Sequence, residues 1–118
     1  MKKILLIEDE KILRDTIQEL LQITGFSVSS AANGTQGLPQ VQRNVPDLIL
    51  CDVMMPVLDG YGFLKAHMAS PHKNIPVLLL IAKIETKDQC IGLNLGAKAY
   101  VLKPFVLKEL LAAMQPLL

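Results

Sequence analysis

The sequence lacks several features that would set its class at once. No apolar run approaches the roughly 20 residues that a membrane-spanning helix needs. Only 4% of the residues are aromatic although 51% are hydrophobic, so the core must be mainly aliphatic. The net charge is +1, from 12 basic and 11 acidic residues, which gives no electrostatic footprint for nucleic acid or an anionic membrane.

The two cysteines predict no disulfide framework, and no Cys/His spacing is typical of a metal site. Cys51 falls in an apolar strand and Cys90 in a predicted helix, so reduced thiols in a cytoplasmic protein are the simplest interpretation. His67 and His72 are expected at the surface near a loop. The basic amino terminus leads directly into a strand, which argues against a signal peptide.

What the sequence does contain is a regular alternation of short apolar runs and segments of helical periodicity. The predicted strands are residues 3–7, 26–31, 48–52, 75–82 and 99–102. The predicted helices run from residue 10 or 11 to 25, then over 35–44, 60–69, 86–95 and 107–115. The alternation predicts right-handed crossovers and a parallel sheet covered on both faces. We therefore expect one domain with a doubly wound α/β fold of five strands and five helices.

The segment 35–44 should be a helix by its position, but its composition is poor for one. Gly37 and Pro39 lie inside it, and an interior proline costs a helix about 3 kcal/mol. We expect a short, late-starting or kinked helix here.

Carboxylates follow two of the most apolar strands. Asp52 closes the third strand, and Glu8 and Asp9 directly follow the first. Because the carboxyl ends of parallel strands meet at one edge of the sheet, we expect these three side chains to converge. Three carboxylates repel one another unless a cation neutralises them, and oxygen-only ligands suit Mg²⁺ or Mn²⁺ rather than zinc. A structural explanation also exists, since acidic residues favour turns and first helical turns.

Lys103 follows the fifth strand and precedes Pro104, so it should project from the same edge. The bond between them can be cis at modest cost, which would aim the lysine inward. A lysine beside three carboxylates and a cation suits a phosphoryl group. The alternative is a solvated surface lysine next to a turn.

Taken in order, these motifs resemble the response-regulator receiver domain of two-component signalling over the whole chain, residues 1–118. The matching segments are ILLIEDE (4–10), PDLILCDVMMP (46–56), LDG (58–60), IPV (75–77), GA (96–97) and KPF (103–105). The resemblance implies the CheY-like strand order 2-1-3-4-5, with the first and third strands at the switch point.

The resemblance also implies the roles of the site residues. Asp52 would accept a phosphoryl group from a phosphohistidine on a sensor histidine kinase or phosphotransfer protein. Glu8 and Asp9 would hold Mg²⁺ together with Asp52 and the backbone carbonyl of Met54, and Lys103 would pair with the phosphoryl oxygens. Such a protein catalyses only its own phosphotransfer and at most its own dephosphorylation.

The output surface implied by the family is the face of the fourth helix, fifth strand and fifth helix, which would contact an effector domain or partner protein. A solvated charged face explains the same residues equally well. The residues concerned are Lys87, Gln89, Lys98, Tyr100, Lys108 and Glu109. Direct contacts with nucleic acid or a membrane are not expected. A stand-alone receiver and one cut from a longer protein both stay open.

The sequence departs from the family at one position. Receivers usually carry Thr or Ser directly before the alanine that ends the fourth strand, and here Ile81 precedes Ala82. Tyr100 matches the switch aromatic that normally follows that hydroxyl. Three hypotheses follow: a phosphorylatable receiver with altered switching, a phosphorylation-independent binding module, and a metal-dependent phosphatase with an Asp nucleophile. The last is disfavoured because such enzymes usually place a second acid where Met54 stands.

Overall fold

The computed structural model describes residues 1–82 and 88–118, which form a parallel sheet between two layers of helices. The strands are β1 (Lys3–Ile7), β2 (Ser27–Ala31), β3 (Leu48–Asp52), β4 (Val77–Ala82) and β5 (Ala99–Lys103). The helices are α1 (Lys11–Thr24), α2 (Gly34–Asn44), α3 (Gly60–Met68), α4 (Asp88–Asn94) and α5 (Leu107–Met114), with a final 3₁₀ turn at Gln115–Leu117. The predicted start of the fourth helix at residue 86 lies outside the described residues. None of the described helices is long and apolar enough to cross a membrane.

The strand order is β2-β1-β3-β4-β5 with every pair parallel, which confirms the predicted doubly wound fold. Every residue of β3 is buried, because α2 and α3 cover one face of the sheet and α1 and α5 cover the other. The apolar runs of the sequence therefore reflect strands without a solvent-facing side. Strand β3 takes the middle position, and the very apolar β4 lies between it and the edge strand β5.

Helix α1 begins and ends as predicted, at Lys11 and just before Gly25. The glycine has a φ of 111°, and its N–H bonds back to the last turn, so the left-handed conformation that ends the helix falls on the residue that tolerates it. Ile17 and Leu21 face the core. Ile12 and Ile23 share the apolar periodicity but are 77% and 76% exposed.

Helix α2 is neither short nor late-starting, so these two of the three predicted alternatives are wrong, and a kink at Pro39 stays a prediction. It runs over 11 residues from Gly34, with Pro39 inside it. The Asn33 side chain accepts a hydrogen bond from the N–H of Gln36 at 2.9 Å, and the Gln36 side chain in turn accepts one from the N–H of Ala32 at 3.1 Å. This capped first turn and the buried face around Val41 hold the helix despite the hydrogen bond that the proline removes.

His67 is buried, not at the surface as predicted. It lies one turn after Phe63 on the inner face of α3, and the two rings stack with centroids 5.8 Å apart. Its Nε2 donates to the backbone carbonyl of Ile75 at 2.9 Å, which anchors the loop before β4. Burial lowers the pKa of His67, so the neutral ring is the favoured form.

Strand β2 forms one edge of the sheet. The N–H of Ser27 points toward β1, where it donates to the carbonyl of residue 2 at 3.0 Å, so the backbone groups of Val28 and Ser30 face outward. Two glutamine side chains reach these outward carbonyls. Gln18 of α1 donates to Val28 at 3.1 Å, and Gln40 of α2 donates to Ser30 at 2.7 Å.

Candidate functional site

The carboxylates predicted to converge do meet, at the carboxyl edge of the sheet. Strands β1 and β3 pair in a register that sets Ile7 opposite Cys51, so Glu8 and Asp52 follow at the same height. One carboxylate oxygen from each of Glu8, Asp9 and Asp52 lies within 4.8 Å of the other two. Glu8 and Asp52 are buried, at 1% and 5% exposure, whereas Asp9 is exposed.

Lys103 reaches the same cluster from the end of β5. Its Nζ lies 2.7 Å from Oε1 of Glu8 and 3.1 Å from Oδ2 of Asp52. The Lys103–Pro104 peptide bond is cis, as considered from the sequence. The lysine side chain is only 23% exposed, so it is not the solvated surface lysine of the alternative interpretation.

The two buried carboxyl groups differ in their protonation. Burial, together with the neighbouring charge of Glu8, raises the pKa of Asp52 to about 7, although Lys103 acts in the opposite direction. Burial also acts against ionisation of Glu8, but its hydrogen bonds with Lys103 and Asp52 outweigh that effect and lower its pKa. Without a bound cation, the proton shared by this pair therefore belongs mainly to Asp52.

The other two groups respond to the same cluster. Partial desolvation raises the pKa of Asp9, and its hydrogen bond with Glu8 and the charge of Glu8 add to that rise. Burial acts to lower the pKa of Lys103, but the hydrogen bond to Glu8 and the charge of Asp52 raise it overall. The lysine is therefore a permanent cation in the site.

This donor set fits a hard divalent cation. Glu8, Asp9 and Asp52 offer only oxygen ligands, close enough together to share one ion, and Lys103 alone leaves them with excess negative charge. Oxygen-only sites that leave room for water are typical of Mg²⁺. Burial and the charge of Glu8 both oppose ionisation of Asp52, and a bound cation would favour its ionised form.

The loop after Asp52 is held against the end of β3 by the start of α3. The N–H of Gly60 donates to the carbonyl of Val53 at 2.8 Å, and a Cβ on Gly60 would lie 2.7 Å from Cα of Val53 and closer still to the carbonyl oxygen of Asp52. Asp59 caps the helix by accepting from the N–H of Gly62 at 2.8 Å. The motif LDG thus sets the position of the phosphoacceptor candidate through backbone contact.

Arg14 also reaches the site, although the sequence analysis did not single it out. Its Nη1 donates to the carbonyl of Glu8 at 2.8 Å and lies 3.4 Å from the carbonyl of Asp9. The sequence feature that could have indicated this contact is the position of Arg14 in the first turns of α1, six residues after Glu8. From there its long side chain can reach back over the loop. Met54, predicted to contribute its carbonyl, follows Asp52 by two residues and has a 61% exposed side chain.

Ile81 and Tyr100 lie on the neighbouring strands β4 and β5. Ile81 is fully buried in the apolar cluster between the sheet and α2–α3, and the half-buried Tyr100 packs against that cluster. Ala82, the residue after Ile81, pairs directly with Lys103.

Of the predicted output face, Lys98, Lys108 and Glu109 are exposed and Tyr100 is half-buried. Lys87 lies outside the described residues, and so does the side chain of Gln89.

The fold and the site together define a doubly wound α/β protein with a carboxylate–lysine centre at the point where the strand order reverses. Residues 4–115 match the family of the response regulator receiver domain, so the chain belongs to that family. Such domains act in two-component signalling, where they pair with histidine kinases, and they are not enzymes in the usual sense.

Curated relatives are similar to this chain over nearly its whole length. The chain is 41% identical to the "Probable transcriptional regulator ycf27" of Cyanophora paradoxa, over 99% of this chain and 48% of that protein. It is 37% identical to the response regulator MprA of Mycobacterium sp. (strain KMS), over 98% of this chain and 50% of that protein. The chain therefore spans about half the length of the curated relatives it matches.

Two solved structures cover nearly the whole fold. The chemotaxis protein CheY4 of Vibrio cholerae superimposes with a TM-score of 0.92 at 34% identity, over 100% of this chain and 99% of that one. The receiver domain of the Francisella response regulator 1452 gives a TM-score of 0.89 at 32% identity, over 99% and 96% of the two chains.

Proposed function

We propose that this receiver accepts a phosphoryl group on Asp52 from a phosphohistidine of a sensor histidine kinase or phosphotransfer protein. The observation that carries the proposal is the cluster at the carboxyl edge of the sheet: three carboxylates within 4.8 Å of one another, with the Lys103 Nζ 3.1 Å from Asp52. Phosphoryl transfer needs positioning and charge neutralisation more than covalent help from the protein, and this cluster offers both.

In the proposed reaction, Asp52 supplies the nucleophile. One of its carboxylate oxygens forms a bond to phosphorus while the phosphorus–nitrogen bond of the phosphohistidine breaks, which gives an aspartyl phosphate. The departing imidazole keeps the electron pair of that bond and takes up a proton. Lys103 pairs with the phosphoryl oxygens, and the burial of Asp52 limits the access of water to the product.

Glu8 and Asp9 would hold Mg²⁺, or Mn²⁺, together with Asp52 and the backbone carbonyl of Met54. When bound, the cation neutralises negative charge on the carboxylates and on the phosphoryl oxygens. Glu8 then has two tasks, because its other partner is Lys103 at 2.7 Å. The face of α4, β5 and α5, which includes the exposed Lys108 and Glu109, is the proposed surface for an effector domain or partner protein.

The test is the intact mass of the protein after incubation with Mg²⁺ and acetyl phosphate. We expect wild type to gain one phosphoryl group and Asp52→Asn to gain none. Asp47→Asn is the matched control, because this exposed aspartate accepts the N–H of Lys3 at the opposite end of β3 and an asparagine oxygen can replace it. It should be phosphorylated like wild type.

A folded wild-type protein that binds Mg²⁺ but gains no phosphoryl group would contradict the proposal. The function would then be that of a phosphorylation-independent binding module. The observation that favours this second candidate is Ile81, which offers no hydroxyl beside the site and is fully buried.

Replacing Ile81 with threonine should strengthen the link between phosphorylation and changes at the output surface. A threonine hydroxyl can donate to a phosphoryl oxygen and move toward it, whereas isoleucine cannot. The measurement is hydrogen exchange of the β5 amides around Tyr100, with and without phosphorylation. We expect a larger phosphorylation-dependent difference in Ile81→Thr than in wild type.

Ile81→Val is the control for this comparison, because valine has the shape of threonine without the hydroxyl. It should respond to phosphorylation as wild type does. Equal responses of the threonine and valine variants would show that the hydroxyl is not what limits the switch.

A further inference from the structure

Arg14 links helix α1 to the loop that carries two of the three carboxylates. Its backbone already belongs to the helix, since its N–H donates to the carbonyl of Glu10 at 2.8 Å. Its guanidinium returns over the loop, where Nη1 lies 2.8 Å from the carbonyl of Glu8 and 3.4 Å from that of Asp9. The side chain is half-buried, so this contact is partly shielded from solvent.

With the contact from Arg14, each polar group of Glu8 has a hydrogen-bond partner. The N–H of Glu8 donates to the carbonyl of Ala31 at 3.1 Å, and its carboxylate accepts from Lys103 at 2.7 Å and from the N–H of Glu10 at 3.2 Å. The carbonyl is the remaining polar group of this residue, and Arg14 is its partner. Asp9 is less constrained, because its side chain is exposed and its carbonyl shares the same guanidinium nitrogen.

We propose that Arg14 is a positioning residue that sets the backbone of Glu8 and Asp9 for divalent-cation binding. It contacts neither carboxylate in the described hydrogen bonds; it acts on the two carbonyls behind them. A loop held before the cation arrives does not have to be ordered by the cation, so binding is tighter. The inference rests on the proposed cation site of Glu8, Asp9 and Asp52.

The sign of the effect separates this role from simple electrostatics. Arg14 is a cation near a cation site, so removing its charge should by itself tighten binding of Mg²⁺. Removing a positioning contact should weaken it instead, by about tenfold, as for other groups that orient metal ligands. The two explanations therefore predict opposite changes in the same dissociation constant.

The experiment is a titration of Mg²⁺ alone, followed by backbone amide NMR, in wild type, Arg14→Ala, Arg14→Lys and Lys11→Ala. We expect the Kd to rise about tenfold in Arg14→Ala and less in Arg14→Lys, which keeps the charge but loses the forked guanidinium. Lys11→Ala is the matched control: it removes one positive charge from the same helix and breaks only the exposed pair with Asp15. Its Kd should not rise.

A second measurement does not depend on cation binding. In the presence of EDTA, the amides of Glu8 and Glu10 should exchange faster in Arg14→Ala than in wild type and Lys11→Ala, after correction for any change in global stability. An unchanged or lower Kd in Arg14→Ala, or unchanged exchange of those amides, would overturn the inference. If wild type itself bound no Mg²⁺, the proposed function would fail, and the exchange experiment would still decide whether Arg14 positions the loop.

Discussion

Asp52→Asn should make the cation-free protein more stable at about pH 8, although it removes the proposed phosphoacceptor. In the folded wild type, burial and the charge of Glu8 raise the pKa of Asp52 from an ordinary 3.8 to about 7. At about 1.4 kcal/mol for each pKa unit, that rise sets a ceiling of roughly 4 to 5 kcal/mol on the penalty of ionising this group in the folded state. We expect a gain of about 2 kcal/mol, because the site relaxes when the charge forms.

Asparagine suits the position as the protonated acid does. Its amide can donate to Glu8, and its oxygen can accept from Lys103, which lies 3.1 Å from Asp52 Oδ2 in wild type. The variant therefore keeps the hydrogen bonds of the neutral form and cannot acquire the buried charge.

The sign of the pH dependence follows from the raised pKa. Asp52 ionises near pH 4 in the unfolded chain but only near pH 7 in the folded protein. Between these pH values ionisation favours the unfolded chain, so the free energy of unfolding falls as the pH rises from about 4 through 7. The advantage of Asp52→Asn over wild type should therefore grow across that window and then level off. Urea unfolding in EDTA at about pH 5 and pH 8 measures it.

Asp47→Asn provides the control, since this carboxylate is exposed and should show no such growth in stability difference. Added Mg²⁺ should stabilise wild type more than Asp52→Asn and so narrow the gap. A variant that is less stable than wild type at the higher pH would contradict the assignment of the proton to Asp52.

Gly60→Ala should destabilise the protein by about 3 kcal/mol and slow phosphorylation of Asp52. The added methyl group would meet backbone on the β3 side: Cα of Val53 at 2.7 Å and the carbonyl oxygen of Asp52. Neither atom can move without shifting the end of β3, so the collision is relieved by displacing α3 or the phosphoacceptor candidate itself.

Gly62→Ala is the matched control, two residues further along the same helix. Its methyl group would lie 2.5 Å from Cδ1 of Leu58, the far end of a flexible side chain that can rotate away. Alanine is also the better helix former, by up to about 1 kcal/mol. Urea midpoints and the initial rate of mass gain with acetyl phosphate should therefore fall for Gly60→Ala only. Similar losses in both variants would place the cause in the helix and not in the contact with β3.

The fold could be predicted from the sequence because local and tertiary requirements agree along most of the chain. Each residue of β3 is buried, so the apolar run in the sequence and the strand coincide. Helix α1 ends at Gly25, whose left-handed backbone conformation glycine adopts more readily than other residues. The expectation of a short or late-starting α2 was wrong because it weighed only the poor helix propensities of Gly37 and Pro39. The Asn33 cap and the packing of Val41 outweigh a single missing hydrogen bond, and neither is visible in helix propensity.

His67 was misplaced for a related reason. The sequence alone does not determine whether a single histidine near a predicted helix end is buried or exposed. Its burial depends on stacking with Phe63 and on a bond to the carbonyl of Ile75, which is eight residues away.

The side chains of the candidate site could be predicted from the sequence, but the contacts that hold them in place could not. Glu8, Asp9, Asp52 and Lys103 each lie at or just after the carboxyl end of a strand, so the rule that strands present their functional groups at this edge brings them together. Arg14 acts through backbone carbonyls, and such a contact leaves no pattern of residue types. The hydrogen bond from Lys103 to Glu8 could not be predicted either, because the two residues lie near opposite ends of the chain.

The glutamines beside β2 have a consequence for how copies of this chain can associate. An exposed edge strand is a template on which a strand of another molecule can pair, and that is a common start of aggregation. Gln18 and Gln40 already occupy the outward carbonyls of Val28 and Ser30, one from each face of the sheet. An incoming strand would have to displace both before gaining its first bonds there. Extension of the sheet by strand pairing is thereby hindered at the β2 edge.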